Sequence, residues 1–283
     1  MEYTTLYNGV QIPLVGIGTF MISQEDTERS VYAAIKMGYR LIDTANAYMN
    51  EEAVGKAVHK ALDEGLAKRE ELFISTKLWP SLYESDTAVD KTLERLGLDY
   101  VDLLFIHQPA GNYIAGYKQL EKAYKESKAK TLGISNFHDE KLENLLAEAE
   151  IAPHVIQLEA HPYFTQREIM DRLSEIGTRL MAWYPLGHGD PDLVREDIFT
   201  RLANKYHKSN SQVVLRWHTQ MGIIAIPGSK NPDHIRDNAD IFDFELTEEE
   251  MAEVAKLDGT KKYYNATPNQ EESYANIQLP FEN

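Results

Sequence analysis

Residues 41–48, LIDTANAY, decide the fold. The apolar pair Leu41-Ile42 ends in an acid, Asp43, and such a run suits a buried strand that delivers Asp43 at its carboxyl end. Tyr48 follows five residues later in a loop of small residues, and a helical pattern starts near Asn50-Glu51-Glu52. A carboxylate at a strand end and a phenol in the next loop meet at the top of a sheet. A phenol has a reference pKa of about 10 and is a poor acid at neutral pH. It needs a cation that stabilises its phenolate.

Two further runs supply the partners. Residues 72–77, LFISTK, end in Lys77 before Leu78-Trp79-Pro80 breaks the strand. Residues 101–107, VDLLFIH, end in His107 and are closed by Gln108-Pro109. Taken singly, each residue is ordinary: a turn-capping acid, a surface lysine, a satisfied structural histidine. Three successive strands that end in Asp43, Lys77 and His107, with Tyr48 beside the first, point instead to a site at one end of a parallel barrel.

Strand and helix patterns alternate outward from there. Strands are predicted at 14–19 and ending near Asp43, Lys77, His107, Ser135, Gln157 to Glu159, Trp183 and Ser229. Helices are predicted at 24–37, 54–62, 87–96, 141–149 and 165–176. The strands number eight, so the fold class is α/β, an (α/β)8 TIM barrel. Residues 6–12 form a hairpin in front of it, because Asn8-Gly9 supplies a tight turn of positive φ. Gly16-Ile17-Gly18 invites a dinucleotide fingerprint, but the third glycine would fall at Met21, so that motif fails. Residues 187–192, GHGDPD, read as a flexible loop.

The chain of 283 residues reads as one domain over 1–283, with a polar tail from 259 to 283. Its start lacks a basic-then-apolar leader, and no apolar run reaches the length of a membrane span. There is no cysteine, hence no disulfide or thiolate chemistry, which fits a cytoplasmic protein. Twenty-nine Lys and Arg stand against forty-five Asp and Glu, a net charge of −16. That field argues against nucleic acid or an anionic membrane as partners, and a monomer is expected. Glu159 and His161 lack a closely spaced set of further ligands, so no metal is expected.

In chain order, DTANAYMNEEAVGKA (43–57), FISTKLW (73–79), VDLLFIH (101–107), LGISNF (132–137) and IPGS (226–229) resemble the signatures of the aldo-keto reductase superfamily. The similarity runs over residues 14–246, and within the family it leans towards bacterial members of the 2,5-diketogluconate reductase and glyoxal reductase branch. It implies a carbonyl reductase that takes hydride from a nicotinamide cofactor, with a small aldehyde or ketone as substrate. Tyr48 would be the general acid, Asp43 and Lys77 would lower its pKa, and His107 would orient the carbonyl. The hairpin would plug the bottom of the barrel.

The resemblance also implies a cofactor path. Ser135, Asn136 and Gln157 would hold the carboxamide, Thr19 and Asp43 would be further cofactor contacts, and Trp183 would stack on the ring. Leu186 and Gly187 would lead towards the pyrophosphate, and Ser229, Lys230, His234 and Asn238 would lie at the adenosine end. Phe20, Trp79, Tyr48 and His107 would wall the substrate pocket. Three departures stand out: Gln108 where many relatives have Trp, and Gly228 and His234 where phosphate-binding relatives have Lys and Arg. NADPH is the expected cofactor, with NADH left open by those two positions; Ser229, Lys230 and Arg236 could partly replace the lost cations. The tail has two readings, a disordered end or a cover over the mouth. Two rival functions share the fold: a cofactor-holding redox sensor or regulatory subunit, and a Schiff-base aldolase with Lys77 as nucleophile.

Overall fold

The computed structural model of the chain describes residues 1–282. Strand β1 (Tyr3–Thr5) pairs antiparallel with β2 (Gln11–Pro13). Their turn is closed by the Leu6 N–H donating to the Val10 carbonyl at 2.8 Å, and Gly9 sits at φ 86°. An eight-stranded parallel sheet follows, hydrogen-bonded in sequence order. It comprises β3 (Gly16–Gly18), β4 (Leu41–Asp43), β5 (Phe73–Leu78), β6 (Leu103–Ile106), β7 (Leu132–Ser135), β8 (Val155–Glu159), β9 (Arg179–Trp183) and β10 (Ile224–Ala225). A parallel bridge between Val15 and Ala225 brings the last strand against the first and closes the barrel.

Helices α1 (Gln24–Lys36), α2 (Glu51–Asp63), α3 (Ala88–Leu96), α4 (Tyr113–Lys125), α5 (Asp139–Glu148) and α6 (Arg167–Ser174) return the chain between strands. They are followed by α7 (Pro191–Arg195), α8 (Asp197–Tyr206), α9 (Asn210–Gln220), α10 (Pro232–Ala239), α11 (Glu248–Val254) and α12 (Pro268–Ser273). Several open on a side-chain cap: Ser23, Ser209, Thr247 and Thr267 each accept a backbone N–H of the first turn.

Strand alternation splits the apolar residues into two cores. Leu41, Phe73, Leu103, Phe105, Val155, Met181 and Ile224 fill the barrel, whereas Ile42, Ile74, Leu104, Ile106 and Ile134 pack outward. Leu6 and Ile12 of the hairpin belong to the inner core, so the hairpin plugs the amino-terminal end of the barrel. The inner layer leaves no room at Gly133, where an added Cβ would lie 2.3 Å from the Phe105 ring. The same alternation that stacks Leu41 on Phe73 carries Asp43, Ser75 and Lys77 inward at the other end, with Asp43 in register with Ser75.

The structure differs from the sequence expectation in three places. The first barrel strand shrinks to Gly16–Gly18, and the last ends at Ala225, four residues short of Ser229. Pro227 has no N–H to extend that ladder; its carbonyl accepts from Gly18 at 3.3 Å instead. Residues 187–192 are not an irregular loop. They form a 3-10 turn (Gly187–Gly189) and the start of α7, where the Asp190 side chain accepts the Asp192 N–H and Pro191 takes the first helical position. Among the described residues, no helix is long and apolar enough to cross a membrane.

Candidate active site

Asp43, Tyr48, Lys77 and His107 come together at the carboxyl ends of β4, β5 and β6. Tyr48 ends a 3-10 turn (Asn46–Tyr48) that leaves β4, and Met49 at φ 58° turns the chain into α2. Lys77 Nζ donates to Asp43 Oδ2 at 2.6 Å, to the Thr44 carbonyl at 2.9 Å and to the Tyr48 hydroxyl at 3.3 Å. Asp43 Oδ1 accepts from Ser75 Oγ at 2.8 Å and from Gln157 Nε2 at 3.1 Å. The His107 ring stands edge-on to Tyr48, centroids 5.6 Å apart, and to Trp79 at 5.2 Å. Its Nδ1 is buried without a hydrogen-bond partner among the described residues.

Burial dominates the protonation of this group. It holds the Tyr48 phenol well above its ordinary value, helped by the Asp43 carboxylate and by Tyr184. The net direction is opposite to the expectation built on Lys77, because burial first and the Asp43 carboxylate second raise the phenol. Burial also lowers the Lys77 ammonium, against the pull of Asp43 and then Glu51. His107 is pushed well below its ordinary value by burial and by the Lys77 charge, so it is a neutral imidazole. At neutral pH the site therefore holds a protonated phenol, an ammonium tied to a carboxylate, and a neutral ring.

Asp43, Tyr48 and His107 open into a cavity of about 640 Å³, with Lys77 fully buried behind them. Of the residues picked out from the sequence, Phe20, Asp43, Tyr48, Trp79, His107, Ser135, Asn136, Gln157, Trp183 and Leu186 line it. Gln108 lines it too, and its Oε1 accepts from Asn136 Nδ2 at 3.2 Å. Trp183 Nε1 donates to Asn136 Oδ1 at 3.0 Å. Gln157 donates through Nε2 to Asp43 and to Met181 Sδ, which leaves its amide oxygen unpartnered among the described residues.

Gly228 lines it as well, and the remaining cofactor candidates lie off this lining. Thr19 is fully buried, its hydroxyl donating to the Asp43 carbonyl at 3.0 Å. Gly187 packs beneath Leu193 and Tyr263. Ser229 Oγ accepts the Asn231 N–H at 3.1 Å ahead of α10, Asn238 is buried, and His234 is exposed on the first turn of that helix. The two candidate replacement cations are engaged by carboxylates: Lys230 lies 3.8 Å from Asp26, and Arg236 lies 3.0 Å from Asp233 and 3.4 Å from Asp237.

The tail was the part that sequence reasoning left open. Tyr264, Tyr274, Ile277 and Leu279 line the cavity, and Trp79 Nε1 donates to the Ile277 carbonyl at 2.9 Å. The pair examined as metal ligands anchors this segment: Glu159 accepts the N–H groups of Tyr263 and Tyr264 at 2.6 and 2.8 Å, and the His161 ring at 3.0 Å. Tyr184 and His188, stacked at 3.9 Å, also line the cavity and were not singled out. Ser75 carried a usable signal, since it lies two residues before Lys77 and so on the same strand face.

The sequence profile of the aldo/keto reductase family matches residues 14–259. The chain belongs to the aldo/keto reductase family. It is accordingly an NAD(P)H-dependent oxidoreductase that reduces carbonyl groups. Among family members, the chain is 45% identical to glyoxal reductase of Bacillus subtilis over 272 residues, 94% of this chain and 95% of that protein. It is 39% identical to methylglyoxal reductase of Yersinia pestis over 263 residues, 91% and 93% of the two chains. The crystal structure of an aldo-keto reductase of Bombyx mori in complex with NADP superposes with a TM-score of 0.86 at 34% identity, covering 92% of this chain and 94% of that one. The aldolase alternative has a physical obstacle as well. All three Lys77 donors are taken and the residue is fully buried, so no free amine faces the cavity.

Proposed function

We propose that this aldo/keto reductase reduces small uncharged aldehydes and ketones, 2-oxoaldehydes among them, with Tyr48 as proton donor. One observation carries the reading. The Asp43–Lys77–Tyr48 chain of hydrogen bonds ends in a protonated phenol on the cavity lining, beside a neutral His107 ring. The nicotinamide cofactor supplies the hydride when bound. Ser135, Asn136 and Gln157 fit its carboxamide, since they offer hydroxyl, amide and an unpartnered amide oxygen on one wall. Trp183 lies on the same wall to receive the ring.

The residues divide the work. Tyr48 gives its proton to the carbonyl oxygen as hydride reaches the carbon. Lys77 meets the growing negative charge on the phenol oxygen, and Asp43 keeps Lys77 charged and in place. His107 steadies the carbonyl oxygen by hydrogen bond, a preorganised donor that costs no rearrangement.

Substrate charge follows from the lining, which among the described residues carries no Lys or Arg and one carboxylate, Asp43, already committed to Lys77. A substrate carboxylate would be desolvated there without a cation. The relatives named glyoxal reductase and methylglyoxal reductase support the same class. The test is an assay of purified protein against aldehydes, 2-oxoaldehydes, sugar ketones and 2-oxo acids, with each cofactor. Each 2-oxo acid should fall at least about tenfold below its ester in kcat/KM, a difference of about 1.4 kcal/mol. No turnover on any uncharged carbonyl would sink the proposal.

The adenosine end supports NADPH with only a weak preference over NADH. Lys230 and Arg236 spend their charge on Asp26, Asp233 and Asp237, and exposed pairs of this kind contribute little. We expect a preference of no more than about tenfold, or about 1.4 kcal/mol, shrinking as salt screens the 2′-phosphate. His234→Arg should tighten NADPH and leave NADH nearly unchanged. Dissociation constants for both cofactors at low and high salt check this. If neither moves in the variant, His234 does not face the 2′ position.

A further inference from the structure

A second buried carboxylate lies behind the proton donor. Glu51 opens α2, three residues after Tyr48, and is 2% exposed. Its Oε1 accepts from Thr76 Oγ1 at 2.6 Å and from Asn46 Nδ2 at 3.0 Å. Its Oε2 accepts from Asn46 Nδ2 at 3.0 Å and from Arg95 Nε at 2.7 Å. Asn46 belongs to the turn that bears Tyr48, Thr76 precedes Lys77 on β5, and Arg95 reaches in from α3. The outer face of Arg95 is covered by the tail, where its guanidinium lies 4.0 Å from the centre of the Phe281 ring.

We propose that Glu51 is a positioning residue for carbonyl reduction, its carboxylate fastening the Tyr48 turn to the Lys77 strand. The proposal rests on the reading of Tyr48 as proton donor and Lys77 as its cation. A buried carboxylate is costly unless its oxygens are matched by donors, and an apolar side chain would fill the same space without that demand. The donors here come from the two elements whose separation sets the 3.3 Å contact between Lys77 and Tyr48. No other carboxylate among the described residues bonds both elements in this way.

The charge of Glu51 has a separate, smaller effect. The groups around Lys77 are Asp43 from β4, Tyr48 from the turn, His107 just after β6 and Glu51 from α2, with Arg95 from α3 behind Glu51. Burial lowers the Lys77 ammonium first, and Asp43 and Glu51 oppose it. Loss of the Glu51 charge therefore favours the neutral amine, so Lys77 gives up its proton at lower pH. Arg95 offsets part of the Glu51 field, which keeps that shift small.

Glu51→Gln keeps the shape, removes the charge and turns one acceptor into a donor. Its kcat for reduction should fall about tenfold to a hundredfold, the size of loss that slight misplacement of a reacting group produces. KM and the cofactor dissociation constant should stay within about threefold of wild type, because the side chain touches neither. The alkaline limb of the kcat profile should move to lower pH. In a Tyr48→Phe background, the same substitution should cost no more than about threefold, since the group it positions is gone. A folded Glu51→Gln protein with wild-type turnover and an unmoved limb overturns the proposal, as does an equal loss in both backgrounds. If the variant does not fold, Thr76→Val takes away one Glu51 donor and carries the same test, with kcat falling about threefold to tenfold. A near-normal Tyr48→Phe enzyme overturns the reading of Tyr48 along with this one. A crippled Tyr48→Phe beside a normal Glu51→Gln overturns the role of Glu51 alone.

Discussion

Tyr48→Phe should lower turnover by about 10²–10⁴, or roughly 2.7–5.5 kcal/mol at 1.36 kcal/mol per decade. Only one oxygen leaves the molecule. The ring keeps its neighbours, Phe20 at 5.1 Å and His107 at 5.6 Å between centroids. Lys77 keeps Asp43 and the Thr44 carbonyl, so its position survives the loss of the phenol. The substitution thus separates proton donation from packing. Fluorescence titration of NADPH and NADH should give constants within about twofold of wild type, as expected when an interaction made only in the transition state is removed. Single-turnover measurement locates the loss in the chemical step. Turnover within a few-fold of wild type would remove Tyr48 from the mechanism.

The barrel and the centre of its site were legible because two periodicities coincide in the sequence. Each apolar run that forms a buried parallel strand also ends at the face where sites lie, so Asp43, Lys77 and His107 could be read as neighbours. In the structure Asp43 stands opposite Ser75 and Lys77 opposite Phe105, all on one inner face. Strand ends were less legible. Near Ser229 the apolar run continues past the strand end at Ala225, and Pro227 has no N–H with which to extend the ladder.

What escaped was whatever depends on a distant partner. Tyr264 and Tyr274 look like scattered polar-tail aromatics until Glu159, more than a hundred residues away in sequence, takes the Tyr263 and Tyr264 N–H groups. The stretch 187–192 is rich in residues that usually mark loops, yet Tyr263 and Lys261 of the tail bind Asp190 and hold it. The direction of the Tyr48 pKa was also hidden. A sequence can offer a lysine as cation, but the burial of the phenol and the proximity of Asp43 belong to the packing.

That packing changes what Lys77→Met should do. With burial raising the Tyr48 phenol and lowering the Lys77 ammonium, the ammonium is the first of the two to lose its proton as pH rises. On the proposed mechanism reduction needs Lys77 charged and Tyr48 protonated, so the alkaline limb of kcat should report Lys77 and disappear in the variant. His107, held well below its ordinary value, stays neutral across the same range and adds no limb near neutrality. Turnover should fall by about 10²-fold or more, because the phenolate that forms no longer meets a cation in a low-dielectric site. Methionine keeps much of the stem but strands Asp43, whose remaining donors are Ser75 and Gln157. Removing one partner of a buried pair costs about 3–5 kcal/mol, so the melting temperature should drop as well. The double variant Asp43→Asn, Lys77→Met removes the stranded charge and should recover much of that stability without recovering turnover. Melting curves and pH profiles of wild type, single and double variants make the comparison. If Lys77→Met keeps both its turnover and its alkaline limb, Lys77 serves the fold alone and the limb belongs to another group.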